Sequence, residues 1–232
     1  TYDFLKLLNG QNNHSTLKLL CVPYPYLSLI DNMCKGNESV KVGAQNCSSY
    51  ERGAFTGEVS TEMLKSLGIE YVIIGHSERR EFFSEDNKTL HNKVELSLAN
   101  KITPIFCCGE TLEVRNKGTH KDFVLSQLQE TIYNLSADDF SKVIIAYEPI
   151  WAIGSGMTAS VDDIQEMHSA IRSSIKTNYG SAISRNTSIL YGGSVKPINA
   201  KDIFDLEDVN GGLIGGASLV ANDFFDIVNS IS

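Results

Sequence analysis

No apolar run in this sequence nears the roughly 18 residues needed to cross a bilayer. The first residues do not form a signal-like leader either, because Asp3 interrupts them and no long apolar stretch follows. Neither a membrane span nor a secretory route is expected. Positive charge is also scarce: 20 Lys and Arg face 28 Asp and Glu, a formal net charge of −8. That balance gives no broad attraction for nucleic acid or an anionic membrane surface, so an anionic small substrate would need locally arranged donors. The five cysteines, Cys21, Cys34, Cys47, Cys107 and Cys108, are odd in number and contain no Cys-x-x-Cys pair. Neither a disulfide framework nor a zinc site is indicated, and a reducing cytoplasm is expected. Triplets such as Asn46-Cys47-Ser48 match a glycosylation pattern, but without a secretory signal they read as chance. Linkers and low-complexity tracts are missing too, and 232 residues at 42% hydrophobic content suffice for one sizeable core. A single domain over 1–232 is therefore expected.

What the sequence does contain is a repeated unit. Short runs, "LKLLCV" (17–22), "VKVGAQN" (40–46), "YVIIGHS" (71–77), "ITPIFCCGE" (102–110), "KVIIAYE" (142–148), "SILYGG" (188–193) and "GGLIGG" (211–216), alternate with helical patterns. These nearly continuous hydrophobic runs are how strands covered on both faces of a parallel sheet look. The clearest helix spans Ser160 to Tyr179, with Val161, Ile164, His168, Ile171 and Ile175 at three- and four-residue steps behind a Ser160/Asp163 cap. Another runs from Asp86 to about Asn100, with Leu90, Val94 and Leu98 on one face. Repeated βα units build either an open doubly wound sheet or a closed eight-stranded barrel. The strands hand over to polar or glycine-rich turns: Gln45-Asn46, His76-Ser77-Glu78, Gly109-Glu110, Glu148-Pro149, Gly192-Gly193-Ser194 and Gly215-Gly216. So many polar strand ends suit a barrel rim better than a single switch point, although seven strands are one short of eight.

Two side chains at these turns carry the chemistry. Glu148 follows "KVIIAY", and partial burial at a barrel mouth would keep its carboxylate basic enough to take a proton. Taken alone, it also reads as an ion-paired strand-end glutamate. His76 ends another strand at a helix start, where the dipole favours neutral imidazole, a hydrogen-bond donor to a carbonyl without being a strong acid. His14, His91, His120 and His168 read as structural, His168 as packing on an apolar stripe. In "YGGSV" and "GGLIGGASLV", glycines beside turns that lead into helices let backbone N–H groups approach an anion, and phosphate is the natural guest. Either turn alone reads equally well as a tight βα connection; two in succession late in a barrel are more telling.

The segments "VGAQNCS", "GAFTGEVS", "YVIIGHSERR", "AYEPIWAIGSG", "ILYGGSV" and "GGASL" together resemble the triosephosphate isomerase family in order and spacing, from about Leu17 to the C-terminus. The resemblance implies a TIM (β/α)8 barrel and an isomerase of glycolysis and gluconeogenesis. It would interconvert dihydroxyacetone phosphate and glyceraldehyde 3-phosphate through an enediolate. It places Glu148 as the base between C1 and C2 and His76 as the electrophile, and a glutamate base with a neutral histidine is that family's own known pattern. Gly154 in a lid, Ser194, Gly215 and Gly216 match its phosphate-binding backbone positions, while Glu78 and Cys107 match residues beside the catalytic pair. The family implies a homodimer in which the loop around Thr56 docks into the neighbour, a triose phosphate as the small-molecule partner, and no metal or organic cofactor. Neither nucleic acid nor membrane is implied.

One departure concerns the start of the chain. The family opens with a strand ending in Asn-x-Lys, whose lysine faces the phosphate. Here "TYDFLKLL" (1–8) reads as the helix after that strand, and Lys6 is not matched to that lysine. The expectation is a barrel whose first strand is absent from the 232 residues and lies upstream. A truncated, non-catalytic relative serving as a binding or interaction protein is the alternative, and another phosphate-binding barrel enzyme is a third reading.

Overall fold

The computed structural model of the chain describes residues 16–154 and 156–231. The expected helix over 1–8, with Lys6 in it, lies outside them. Six of the expected runs are strands: β1 Lys18–Val22, β2 Val40–Ala44, β3 Tyr71–Ile74, β4 Thr103–Cys108, β5 Ile144–Tyr147 and β6 Ile189–Tyr191. They form one six-stranded sheet in that order, with β1/β2, β2/β3 and β5/β6 paired in parallel. Every residue of β3, β4 and β5 after the first is buried, as expected of parallel strands covered on both faces.

The seventh run, 211–216, is not a strand; it makes one parallel bridge, Tyr191 to Gly212. Its leading glycines have no side chains to fill a pleated face, and Gly211 sits at φ 148°, outside strand geometry.

Among the described residues the α-helices are α1 Leu27–Cys34, α2 Thr61–Ser66, α3 Ser77–Phe82, α4 Asn87–Ala99, α5 Leu112–Asn116, α6 His120–Thr131, α7 Ala137–Phe140, α8 Val161–Asn186, α9 Pro197–Phe204 and α10 Ala221–Asn229. The cap of α8 is as expected: Ser160 Oγ accepts from Asp163 N at 3.1 Å and Asp163 Oδ2 accepts from Ser160 N at 3.2 Å. Its buried stripe is Ile164, Met167, His168, Ile171 and Ile175, whereas Val161 is 42% exposed. The expected end near Tyr179 is a break at Gly180 (φ 85°, ψ 169°), after which helical turns resume to Asn186. Among the described residues no helix is long and apolar enough to cross a membrane.

The chain divides into two compact units, one up to Ile74 with Asn92–Ile105 and the other Gly75–His91 with the chain from Phe106 onward. In the first, Val42, Ala44, Leu64, Ile69 and Val72 are buried. In the second, Phe106, Val124, Leu128, Phe140, Ile145, Ile164, Ile171 and Ile189 are buried, and β5 and β6 run in register from Ile145 opposite Ile189 to Tyr147 opposite Tyr191. Each Val, Leu, Ile or Phe among these contributes about 1.5–3 kcal/mol by leaving water. All the candidate site residues belong to the second unit.

Candidate active site

The chain leaves β3 through Gly75, whose φ of 78° turns it sharply into α3. His76 is the residue that caps α3, and its Nδ1 accepts from Glu78 N at 3.3 Å. An accepting Nδ1 carries no proton, which places the ring proton on Nε2. The Glu78 carboxylate lies 3.7 Å from Nδ1 but is 69% exposed, so the nearer, backbone-fixed amide sets the tautomer. Nε2 lies 3.0 Å from Glu148 Oε1, and Ser77 N donates to Glu148 Oε2 at 2.9 Å. Both oxygens of the strand-end glutamate are thus engaged by donors from one helix start.

Glu148 is 2% exposed. That burial pushes its pKa above the usual carboxylate range, against the opposing pull of His76, the Ser77 amide and Arg80. Backbone bonds fix it on either side: Glu148 N donates to Cys108 O at 2.8 Å, and Gly192 N to Tyr147 O at 2.7 Å. Both flanking turns need glycine. A Cβ on Gly109 would lie 1.7 Å from Glu148 O, and one on Gly192 would lie 2.9 Å from Glu148 Cγ. The Gln127 side chain holds the Gly109 peptide from both ends, at 2.9 and 3.0 Å. Arg80 braces the same floor by donating to Gly75 O, Asn87 Oδ1 and Cys107 O at 2.9, 2.9 and 3.0 Å.

The backbone positions matched to phosphate are accessible. Gly154 (φ 64°) and Gly156 (φ 81°) are exposed beyond the short helical turn Ile150–Ala152. Ser194 follows β6 half-buried, its carbonyl accepting from Asn199 Nδ2 at 3.1 Å. Gly215 and Gly216 are exposed at the start of the turn Gly216–Leu219, and a Cβ on either would meet nothing within 4 Å.

A family model described as Triosephosphate isomerase matches residues 2–231. The chain belongs to the triosephosphate isomerase family. Among similar proteins, the triosephosphate isomerase of Cytophaga hutchinsonii is 55% identical over 212 residues, covering 91% of this chain and 84% of that protein. The one of Bacteroides fragilis is 49% identical over 214 residues, 92% and 84% of the two chains. The one of Lactobacillus delbrueckii subsp. lactis is 45% identical over 231 residues, 99% and 91%. The α/β fold class and the barrel architecture read from the sequence are those of the triosephosphate isomerase family.

The structure brings His76 and Glu148, named from strand ends and motifs, within 3.0 Å of each other, and adds what the sequence did not show, the groups that hold them. The Ser77 amide and the glycine contacts at 109 and 192 are backbone features, legible only as the motif neighbours they are. A second group was not recognised as a cluster: Glu110, Arg115, Tyr147, Trp151 and Asp163. Glu110 Oε1 accepts from Trp151 Nε1 at 2.9 Å, Tyr147 Oη at 3.0 Å and Arg115 Nη1 at 3.3 Å. The available signals were the polar strand end at Gly109-Glu110, the Asp163 cap and the chain's single tryptophan close after Glu148, and none of them showed that these residues meet.

Proposed function

We propose that this protein is a triose-phosphate isomerase, interconverting dihydroxyacetone phosphate and glyceraldehyde 3-phosphate through an enediolate. Glu148 is the base that moves the proton between C1 and C2, and His76 donates its Nε2 proton to the substrate oxygens. The observation that carries this reading is the buried Glu148 carboxylate facing the protonated Nε2 of His76 at 3.0 Å. A carboxylate made more basic by burial, beside a fixed neutral donor, can take a proton from carbon while the developing oxyanion is stabilised. The relatives similar over most of the chain are named triosephosphate isomerase, which speaks for a working enzyme over a binding protein that has lost catalysis.

Backbone N–H groups at Gly154, Ser194, Gly215 and Gly216 would receive the phosphate, which suits a chain of net charge −8 with no general pull on anions. Residues 149–159 form a lid hinged at Pro149–Ile150–Trp151 and at Met157–Thr158–Ala159, as in the family whose loop motion is known. The two positive-φ glycines in its middle support this. Deprotonation beside a carbonyl calls for no metal or organic cofactor. One domain over 1–232 is supported by the unbroken family match. A homodimer through the loop around Thr56 is supported by the stacked, exposed Tyr50 and Phe55 rings, 4.0 Å apart, and a cytoplasmic location by an odd cysteine count with no Cys-x-x-Cys pair.

The test is isomerisation of dihydroxyacetone phosphate by the purified protein, together with a variant whose lid is replaced by a short glycine turn. The expected outcome is turnover in the first and a folded protein with depressed turnover and released inorganic phosphate in the second. Turnover of other sugar phosphates alone would overturn the substrate assignment, and an unimpaired lid variant would overturn the lid.

A further inference from the structure

Arg115, in the last turn of α5, reaches the N-terminal hinge of the lid and the first turn of α8, the helix that follows its C-terminal hinge. Its Nη1 donates to Glu110 Oε1, the oxygen that also accepts from Trp151, and its guanidinium carbon stands 5.1 Å from the centre of the Trp151 ring. That is the N-terminal hinge. Its Nη2 donates to Asp163 Oδ1. The other Asp163 oxygen closes the cap of α8 onto Ser160, from whose Oγ it accepts at 2.7 Å, one residue beyond the C-terminal hinge. Glu166 is a more distant partner at 3.9 Å. The Arg115 side chain is 14% exposed, so most of it lies between these groups and out of solvent.

We infer that Arg115 is a positioning residue that couples the two hinges of the lid, making 149–151 and 157–159 move as one. The inference rests on the lid reading given above. A guanidinium is a rigid planar fork that engages two carboxylates in fixed directions at once, which an ammonium point charge on a flexible stem does not do. Glu110 is fully buried, and its Oε1 is shared by Arg115 and Trp151. When Trp151 turns with its hinge, the load on that oxygen shifts to Arg115. Arg115 in turn holds the carboxylate that caps α8, so the far hinge senses the near one. Glu110 Oε2, buried without a hydrogen-bond partner among the described residues, leaves acceptor capacity beside the moving ring.

A double-mutant cycle on the whole protein tests this, using Trp151→Phe, which deletes the indole N–H, and Asp163→Asn, which keeps a capping side chain but removes its charge. Turnover number, KM and inorganic phosphate released per turnover are read for each, with melting curves to confirm folding. Coupling predicts that the two losses in kcat differ from additivity by at least about threefold when Arg115 is present and become additive in Arg115→Ala. Arg115→Ala itself should lower kcat at least about tenfold, with KM changed much less and phosphate loss increased. Arg115→Lys should reproduce most of that loss despite keeping the charge. An additive cycle with Arg115 present, or an Arg115→Lys variant matching the wild type in kcat and phosphate loss, would overturn the inference. Should Arg115→Ala not fold, those two results decide alone. A lid replacement that leaves turnover intact would instead sink the lid reading, whereas an impaired lid variant beside an additive cycle would sink only the coupling.

Discussion

Glu110 and Glu148 stand just beyond two successive strands, β4 and β5, and both are buried, yet they are held in opposite ways. Glu110 gathers three donors on a single oxygen, one of them the Arg115 guanidinium. Glu148 gives one oxygen to the His76 ring and the other to the Ser77 amide, and its pKa is raised by burial. A carboxylate hydrogen-bonded to a permanent cation is a fixed anchor, because losing its charge would strand the cation. A carboxylate whose hydrogen-bond partners are an imidazole and a backbone amide can gain and lose a proton in place. In the mechanism proposed above, burial alone therefore does not distinguish the base from the anchor; the charge state of the hydrogen-bond partners does.

The strongest way to break this contrast is to remove each charge in turn. Glu148→Gln should cut isomerisation by on the order of 10²–10⁴-fold, as measured by steady-state turnover, because the proton carrier is gone. Its melting temperature should hold or rise, since a buried charge has been deleted. Glu110→Gln should do the reverse, with a stability loss of about 3 kcal/mol by denaturant titration and a turnover loss of no more than about tenfold. If Glu110→Gln abolished turnover while keeping full stability, the two glutamates would not differ as described.

A smaller effect separates backbone from side-chain crowding at Glu148. A Cβ on Gly109 meets the Glu148 carbonyl at 1.7 Å, so Gly109→Ala must move main chain and should cost about 1–3 kcal/mol. A Cβ on Gly192 meets the Glu148 Cγ at 2.9 Å and the Tyr147 carbonyl only at 3.2 Å, so the strain falls first on the Glu148 side chain. Gly192→Ala should accordingly melt nearer to the wild type while losing turnover through a displaced carboxylate. Equal melting points for the two variants would contradict the distinction.

The smallest effects are in the pH dependence of stability. The folded-state pKa of Glu148 lies above its unfolded value, so its contribution is fully present below the ordinary carboxylate range and is lost as pH rises through the raised value. His168 runs the other way. Buried, with Nδ1 3.2 Å from Asp208 O and its ring against Tyr147 and Tyr191, it has a pKa pushed down to about 4. Its contribution is present above an unfolded pKa of about 6.5 and is lost as pH falls towards the folded value. Melting temperatures measured from pH 7 down to 4 should therefore fall less steeply in His168→Gln than in the wild type. An unchanged slope would remove His168 from the acid limb.

Much of this was legible in the sequence, for reasons visible in particular elements. The six strands announced themselves because runs such as "YVII" and "PIFCC" are buried on both faces, and the α8 cap because Ser160 and Asp163 stand three residues apart. The run at 211–216 misled because apolar composition counts glycine as strand-compatible, where the backbone instead takes a positive φ at Gly211. His76 and Glu148 could be named from strand ends and motifs. Their neighbours could not: residues 110, 115, 147, 151 and 163 follow no period, and only the fold brings them onto one oxygen and one guanidinium. Whether a glutamate is anchor or base depends on those contacts, which the chain order does not encode locally.

The most direct test of the contrast is deuterium uptake from D2O into dihydroxyacetone phosphate, followed by proton NMR, with the wild type, Glu148→Gln and Glu110→Gln side by side. Exchange should persist in Glu110→Gln at a rate within about tenfold of the wild type and fall by the same order as turnover, about 10²–10⁴-fold, in Glu148→Gln. Deuterium uptake by Glu148→Gln at the wild-type rate would mean that another group takes the proton, and Glu148 would lose its place as the base.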